Sequence, residues 1–334
     1  MDPAEPRFYS LYGMLIESEG EVQEAQGYYQ HALSLVPTEG YALIRRIAFH
    51  AINNNFLEAI KLTELVYQRW KSRWPLVEPL LPLLLQDEDA YQQALIDFPK
   101  RKSGKETLIH GLIKNPTGVT LANRFLLDLY RAGFSDLERM ISQTTRAMIS
   151  AERYAEAYRL FVLTLEEDRK NDLGYVFNGS FSHKPKWYSP FNWDLRIQPG
   201  VNIDIKKRQL NGEGINSLEF RFLEKPTNLN TLHQYLKLPT SQFRFDIKYS
   251  SDVRGPKPLR VGIYCKPSNK KVTELVLEPT DKEVKTISTE LTIPTNDCDQ
   301  QFMFLYNKNN SKNWQNRYSG SLYLYNVSIE LIGG

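Results

Sequence analysis

Two short segments of this 334-residue chain gather side chains suited to holding a polar ligand. One runs from His183 to Asn192 (HKPKWYSPFN) and contains Trp187 and Tyr188. The other runs from Asn307 to Ser319 (NKNNSKNWQNRYS) and contains Trp314 and Tyr318 among Lys308, Lys312 and Arg317. Flat aromatic faces stack on the C–H patches of sugar rings, and nearby polar groups read the hydroxyls. Trp187 and Trp314 are the expected stacking residues, with Tyr188 and Tyr318 beside them. Lys312 and Arg317 would meet carboxylates, arginine in bidentate geometry. The chemistry expected of this set is recognition of an acidic glycan. The competing reading has Trp187 packed on the helical half of the chain and Trp314 capping the other half.

Other chemistries find little support. None of the five histidines (His31, His50, His110, His183, His233) lies in a nucleophile or zinc motif. No local pattern points to a working pair of carboxylates, so a catalytic role is not expected. The two cysteines, Cys265 and Cys298, lack metal-ligand spacing; whether they pair is open, since sequence does not give their separation. The basic clusters Lys100-Arg101-Lys102 and Lys206-Lys207-Arg208 are short, come with no reader motif, and suit solvated loops better than nucleic acid. No cofactor is implied.

These candidates must be positioned by the elements around them. Helical periodicity runs from about residue 6 to 170. From Tyr9 to Pro37 the spacing Y-x2-Y-G-x2-I-x8-A-x3-Y-x2-A-x4-P resembles one tetratricopeptide repeat, a helical hairpin that stacks on its neighbours. Gly13 and Ala25 are small where two helices must meet, and Tyr9, Tyr12, Ile16 and Tyr29 fill the groove around them. Later units are degenerate: Asn55–Ala59, Ala122–Phe134 and Arg153–Ala157 keep parts of the pattern, while Trp74–Asp97 is interrupted by proline. Trp70 and Trp74 are expected to pack at that irregular corner. Four to five hairpins in an all-α, tetratricopeptide-like solenoid are predicted.

Beyond residue 172 the period changes to two. Strands are predicted at 175–181, 193–198, 201–206, 216–223, 231–238, 242–250, 258–265, 273–278, 284–292, 301–307 and 320–332. This number of short alternating strands predicts an all-β antiparallel jelly-roll sandwich. Two domains follow, 1–173 and 174–334. Charge divides with them: 20 Lys+Arg against 24 Asp+Glu in the first, 22 against 15 in the second. The basic second half suits an acidic partner. No run approaches the ~20 apolar residues of a membrane span.

Several pieces of the second half, in order, resemble carbohydrate-binding modules of the galactose-binding-like class. They are Asn178-Gly179-Ser180-Phe181, Phe191-Asn192-Trp193, Ser217–Phe222, Gln234-Tyr235-Leu236 with Pro239, Phe243–Tyr249, and Gly320–Ile329. The resemblance implies that Trp193 points inward. It also implies that the first and last strands pair, bringing the two aromatic loops to one edge. Ser182 and Asn326 stand where such modules carry the acidic residues of a structural calcium site, so no required metal is expected.

Repeats followed by this module are similar to envelope proteins of Gram-negative exopolysaccharide systems. The resulting expectation is a non-catalytic adaptor: helical repeats on a protein partner, sandwich on an acidic polysaccharide. It would work in exopolysaccharide assembly or export, periplasmic or membrane-tethered with its leader absent, a cytoplasmic setting remaining open. Two alternatives stand: a purely structural scaffold whose sandwich has lost sugar binding, and an enzyme with its site at the domain junction.

Overall fold

The computed structural model describes residues 5–101, 103–185, 189–195, 198–210, 212–229, 232–307 and 315–332. The chain divides into two compact units, 1–147 and 148–334.

The first unit is helical. It contains α1 (Pro6–Ser18), α2 (Val22–Leu35), α3 (Gly40–Ile52), α4 (Phe56–Arg69), α5 (Trp74–Val77), α6 (Leu81–Leu84), α7 (Glu88–Asp97), α8 (Gly104–Ile113), α9 (Pro116–Arg131) and most of α10 (Glu138–Ser150). Helices α1 to α4 pack in sequence, α4 meets α7, and α8 meets α9. The first hairpin closes where the small residues were expected to let it. A Cβ on Gly13 would sit 2.8 Å from the Tyr29 ring, and Ala25, Tyr29 and Ala32 are fully buried. Tyr29 donates to Glu17 Oε2 at 2.5 Å. Tyr12 departs from expectation: it is 39% exposed and lies edge-on to Tyr28. Glu39 links the first two hairpins, capping α3 through the Ala42 amide and accepting from Ser10 of α1 at 2.5 Å. Pro75, Pro79 and Pro82 break residues 71–84 into single turns. Trp74 is buried there, whereas Trp70 stays 37% exposed with its indole N–H on the Thr38 carbonyl. Among the described residues no helix is long and apolar enough to cross a membrane.

The second unit begins inside α10, not at 173/174. Helices α11 (Tyr154–Leu163) and α12 (Glu167–Lys170) belong to it. The physical reason is aromatic packing: the Phe161 ring lies 5.0 Å from Phe177 and 5.5 Å from Phe191, and Tyr158 lies 5.2 Å from Phe191.

Among the described residues nine strands follow: β1 (Val201–Leu210), β2 (Glu213–Pro226), β3 (Leu232–Leu236), β4 (Gln242–Ser251), β5 (Leu259–Lys266), β6 (Lys271–Leu277), β7 (Lys285–Thr292), β8 (Gln300–Asn307) and β9 (Arg317–Leu331). One sheet has the order β1-β2-β9-β4-β7, the other β3-β8-β5-β6, and all the pairs are antiparallel. Strand β8 returns between β3 and β5, and β9 returns between β2 and β4. That nesting of two Greek keys is a jelly roll, with β1 added as a hairpin at one edge. Inward positions such as Phe220, Phe243, Phe245, Ile263, Met303, Leu322 and Leu324 form the core between the sheets. The chain is thus multidomain, with helices first and an antiparallel sandwich second.

Two predicted strands are not strands. Residues 175–181 are turns, and the described part of 193–198 is extended loop with one bridge at Gln198. Their apolar residues are nonetheless buried: Val176, Phe177, Phe181 and Trp193 are all below 8% exposed. The backbone of this segment bonds to side chains instead of a neighbouring strand. Gln234 grips Phe177 at both its amide and carbonyl, and the Trp193 indole donates to the Asn178 carbonyl at 2.9 Å.

Candidate functional site

Four of the six residues expected to bind sugar, Trp187, Tyr188, Lys312 and Trp314, lie outside the described residues. Arg317 is exposed at the start of β9, opposite Pro226. Tyr318 is a correction. It is 1% exposed and its ring packs 5.6 Å from Phe222. Strand alternation is the cause: Tyr318 shares the inward side of β9 with Leu322 and Leu324, so its ring offers no platform to a ligand. Trp193 is also in the core, as its motif implied.

The structure places an aromatic surface elsewhere, on the outer face of the four-stranded sheet. Along β8 the inward residues are Met303 and Leu305, which leaves Phe302, Phe304 and Tyr306 outward and half-buried. Register brings the neighbours into line. Tyr235 of β3 and Tyr264 of β5 both oppose Phe302; His233 and Gly262 oppose Phe304; Arg260 opposes Tyr306. The rings then touch in series. Centroids are 5.4 Å apart for Phe302–Phe304, 4.8 Å for Phe304–Tyr306, 5.1 Å for Tyr235–Phe302 and 5.0 Å for Tyr264–Phe304. Gly262 makes this possible: a Cβ there would meet the Tyr264 ring at 2.6 Å, so Tyr264 lies across a backbone with no side chain beneath it.

Polar groups frame the rings. The Tyr264 and Tyr306 hydroxyls are 3.1 Å apart, Tyr306 donates to Glu274 of β6, and Arg260 pairs with the same carboxylate. Burial pushes the Glu274 carboxyl up, but the hydrogen bonds from Tyr306 and Arg260 and the charges of Arg260 and Lys271 outweigh it and hold it below its ordinary range. Burial, then the bond to Glu274, pushes the Tyr306 phenol up. Lys266 lies 5.6 Å from the Phe302 ring. At the other end His233, 8% exposed, has Nδ1 3.6 Å from Asp194 Oδ2, and Asp194 is almost fully buried. The hydroxyl bonds fix the Tyr264 and Tyr306 rings against each other and against Glu274. The face can stack on flat C–H surfaces at several points and offer hydroxyl, carboxylate and guanidinium groups at its edge.

Nothing about this face was hidden in composition. Phe302-x-Phe304-x-Tyr306 sits inside a strand that periodicity assigns correctly. The signal lay in asking which parity is buried: Met303 and Leu305 take the core, so the aromatics cannot.

Below β5 and β8 a disulfide joins Cys265 to Cys298, both buried. Near the expected calcium position, Asn178 Oδ1 accepts from the His183 amide and Ser182 Oγ donates to Asp172 Oδ1 at 2.5 Å. Among the described residues no group of three or more His, Cys, Asp or Glu is arranged to hold a metal ion.

No protein-family model matches the chain, and no curated protein sequence matches it. Solved structures resemble part of it. A CBM4 structure has 13% identity and a TM-score of 0.33, covering 47% of this chain and 99% of its own. TmCBM61 in complex with β-1,4-galactotriose has 14% identity and a TM-score of 0.30, covering 47% and 98%. The carbohydrate-binding module CBM6cm-2 of Cellvibrio mixtus lichenase 5A, in complex with cellotriose, has 10% identity and a TM-score of 0.26, covering 41% and 91%. The sandwich's class rests on its own strand order, given above.

Proposed function

We propose that this protein is a non-catalytic adaptor whose sandwich holds an acidic polysaccharide while its tetratricopeptide-like helical solenoid holds a protein partner. One observation carries the sugar half of the reading: the contiguous row of Tyr235, Phe302, Phe304, Tyr306 and Tyr264 on a partly solvent-exposed sheet face. Tyr235 also packs 6.4 Å from Phe191 of the same chain, whereas Phe302, Phe304, Tyr306 and Tyr264 remain partly exposed as a contiguous apolar patch of the kind that marks a ligand or partner site. The polar frame of Glu274, Arg260 and Lys266 suits hydroxyls and acidic groups better than it suits an apolar partner. Trp187, Trp314, Lys312 and Arg317 belong to this proposal as further contacts around the sandwich.

The partner half is supported by the first hairpin. Phe8, Leu11 and Leu15 of α1 are 37%, 50% and 51% exposed on one helix, an apolar stripe suited to another protein surface. A place in the cell envelope, in exopolysaccharide assembly or export, is supported by the Cys265–Cys298 disulfide, since such bonds persist in oxidising compartments.

The test is a panel of neutral and acidic oligosaccharides against the full chain, with Phe304→Ala and Tyr306→Ala in parallel. Binding that falls at least about tenfold in both variants, with the thermal transition retained, supports the reading; one stacked aromatic contributes on the order of 1–2 kcal/mol. Absence of binding across the panel, or binding indifferent to both changes, refutes it in favour of a protein-docking face.

A further inference from the structure

We propose that the opposite face of the sandwich, the outer side of the five-stranded sheet, carries a second glycan site that reads carboxylates through Arg208 and Arg221. A cavity of about 350 Å³ opens there, and it shares Glu219 and Arg221 with a neighbour of about 550 Å³ and Asp252 and Lys282 with another of about 520 Å³. The three cavities are neighbours, the second of them wrapping the β1 edge, where Val201 and Ile203 also line it. The floor of the first is low because Ser250 of β4 and Ser321 of β9 are the outward residues at the centre.

Charge accounting identifies what the central cavity wants; the neighbouring cavity of about 520 Å³ carries Glu224 and Asp281 as well as Arg254. Each carboxylate at the centre already has its partners. Glu219 is paired with Lys206 and accepts from the Tyr323 hydroxyl at 3.1 Å. Asp252 accepts from the Ser321 amide at 2.6 Å and faces Lys282 at 3.4 Å. Arg208 and Arg221 have no carboxylate within ion-pair distance among the described residues, although both line the same cavity. Arg208 lies 3.7 Å above the Tyr323 ring. A guanidinium held flat on an aromatic ring is oriented by it and keeps its in-plane N–H donors for a carboxylate. The cavity thus has one guanidinium oriented on a ring, a second cation, Arg221, with no carboxylate partner among the described residues, and hydroxyl-bearing walls.

A uronate polymer fits this chemistry better than a peptide does. The central cavity, where both arginines sit, is lined by no aliphatic side chain and its ring is covered by Arg208; Leu195, Val201 and Ile203 line only the neighbouring cavity at the β1 edge. The inference rests on the sandwich being a glycan reader and goes beyond it in giving the module two faces: a stacking face for sugar rings and an anion-reading cavity on the other sheet. Such a module would bridge two stretches of an acidic polysaccharide.

The test uses calorimetry on the full chain with an oligogalacturonate, a neutral gluco-oligosaccharide and poly-glutamate as probes. The proteins are wild type, Arg208→Gln/Arg221→Gln and Phe304→Ala/Tyr306→Ala. The expected result is oligogalacturonate affinity down at least tenfold at the cavity in the arginine variant, with neutral binding unchanged, and the salt dependence of uronate binding reduced. Uronate binding that ignores the arginine change, no uronate binding by wild type, or equal competition by poly-glutamate overturns the second site. Neutral binding that persists and depends on Phe304 and Tyr306 leaves the stacking face standing in each of those cases; its loss removes both.

Discussion

Reduction of the Cys265–Cys298 bond should destabilise the sandwich by an amount the structure allows to be worked out. The bridge spans 33 residues of chain and ties the end of β5 to the segment leading into β8. In the chain-entropy account, closing a loop of that length removes about 12 cal/mol/K from the unfolded chain, about 3.7 kcal/mol at 25 °C. With a urea slope of about 2 kcal/mol/M, reduction should lower the midpoint of the second unit by about 2 M. Because the chain has two units, the assay must be local: amide exchange in rising urea, read on peptides spanning β5 and β8. Strands β5 and β8 also carry Tyr264, Phe302, Phe304 and Tyr306, so reduced protein should lose oligosaccharide affinity at urea concentrations the oxidised protein tolerates. A midpoint shift below about 0.5 M, or equal shifts in peptides from α1 to α4, would show that loop closure in the sandwich is not what the bond supplies.

Other predictions follow from the same face and from the helical unit. The Glu274 carboxyl is held below its ordinary value of 4.5 in the folded state. Its contribution to stability is therefore full above that value and is lost as pH falls through the folded pKa, so acid should loosen the Arg260–Glu274–Tyr306 network. Thermal transitions measured from pH 7 to 3 should show a drop below about pH 4.5 that Glu274→Gln flattens; an unchanged acid limb in Glu274→Gln would contradict the assignment. Gly262→Val should displace the Tyr264 ring and weaken oligosaccharide binding about tenfold while costing on the order of 1–2 kcal/mol in stability, read by calorimetry and melting together. Gly13→Val should force Tyr29 from its place between α1 and α2, with a loss of about 2 kcal/mol or more confined to exchange in those two helices.

Most of the architecture was legible because two periodicities report it directly. Stretches such as 242–250 and 258–265 alternate cleanly, and β4 and β5 fall on them within two residues. Segments 175–181 and 193–198 misled because burial and alternation came from a loop crossing the sandwich. Asn178 and Phe181 adopt φ of 52° and 56°, which no strand permits, and their stretch is held by Gln234 and Trp193 side chains. The division inside α10 was not legible either, since α11 has the same helical period as the repeats before it. What separates it is Phe161 meeting Phe177 and Phe191, a contact made only after folding. Tyr318 was read from its neighbours, Trp314 and Arg317, when its parity with Leu322 already placed it inside.

The two outer faces of the sandwich differ in a way that core packing does not require. Both sheets bury the same kind of residue inward, yet one turns phenylalanines and tyrosines outward and the other turns arginines, serines and carboxylates. An outward residue on a sheet is free of the core's volume constraint, and Phe302 and Phe304 are held there by each other and by the tyrosines of β3, β5 and β8. Gly262 lies beneath Tyr264, and glycine in a central strand costs about 0.5–1 kcal/mol relative to a side chain. The glycine leaves the space over the backbone that the Tyr264 ring occupies, 5.0 Å from Phe304 and tilted to it. On the five-stranded sheet Arg208 is laid on the outward ring of Tyr323, beside Ser250 and Ser321 in the wall of the same cavity. The two faces thus present different chemistry to solvent, adjoining rings on one and an arginine laid on a tyrosine on the other, and the two sets of substitutions proposed above test them separately.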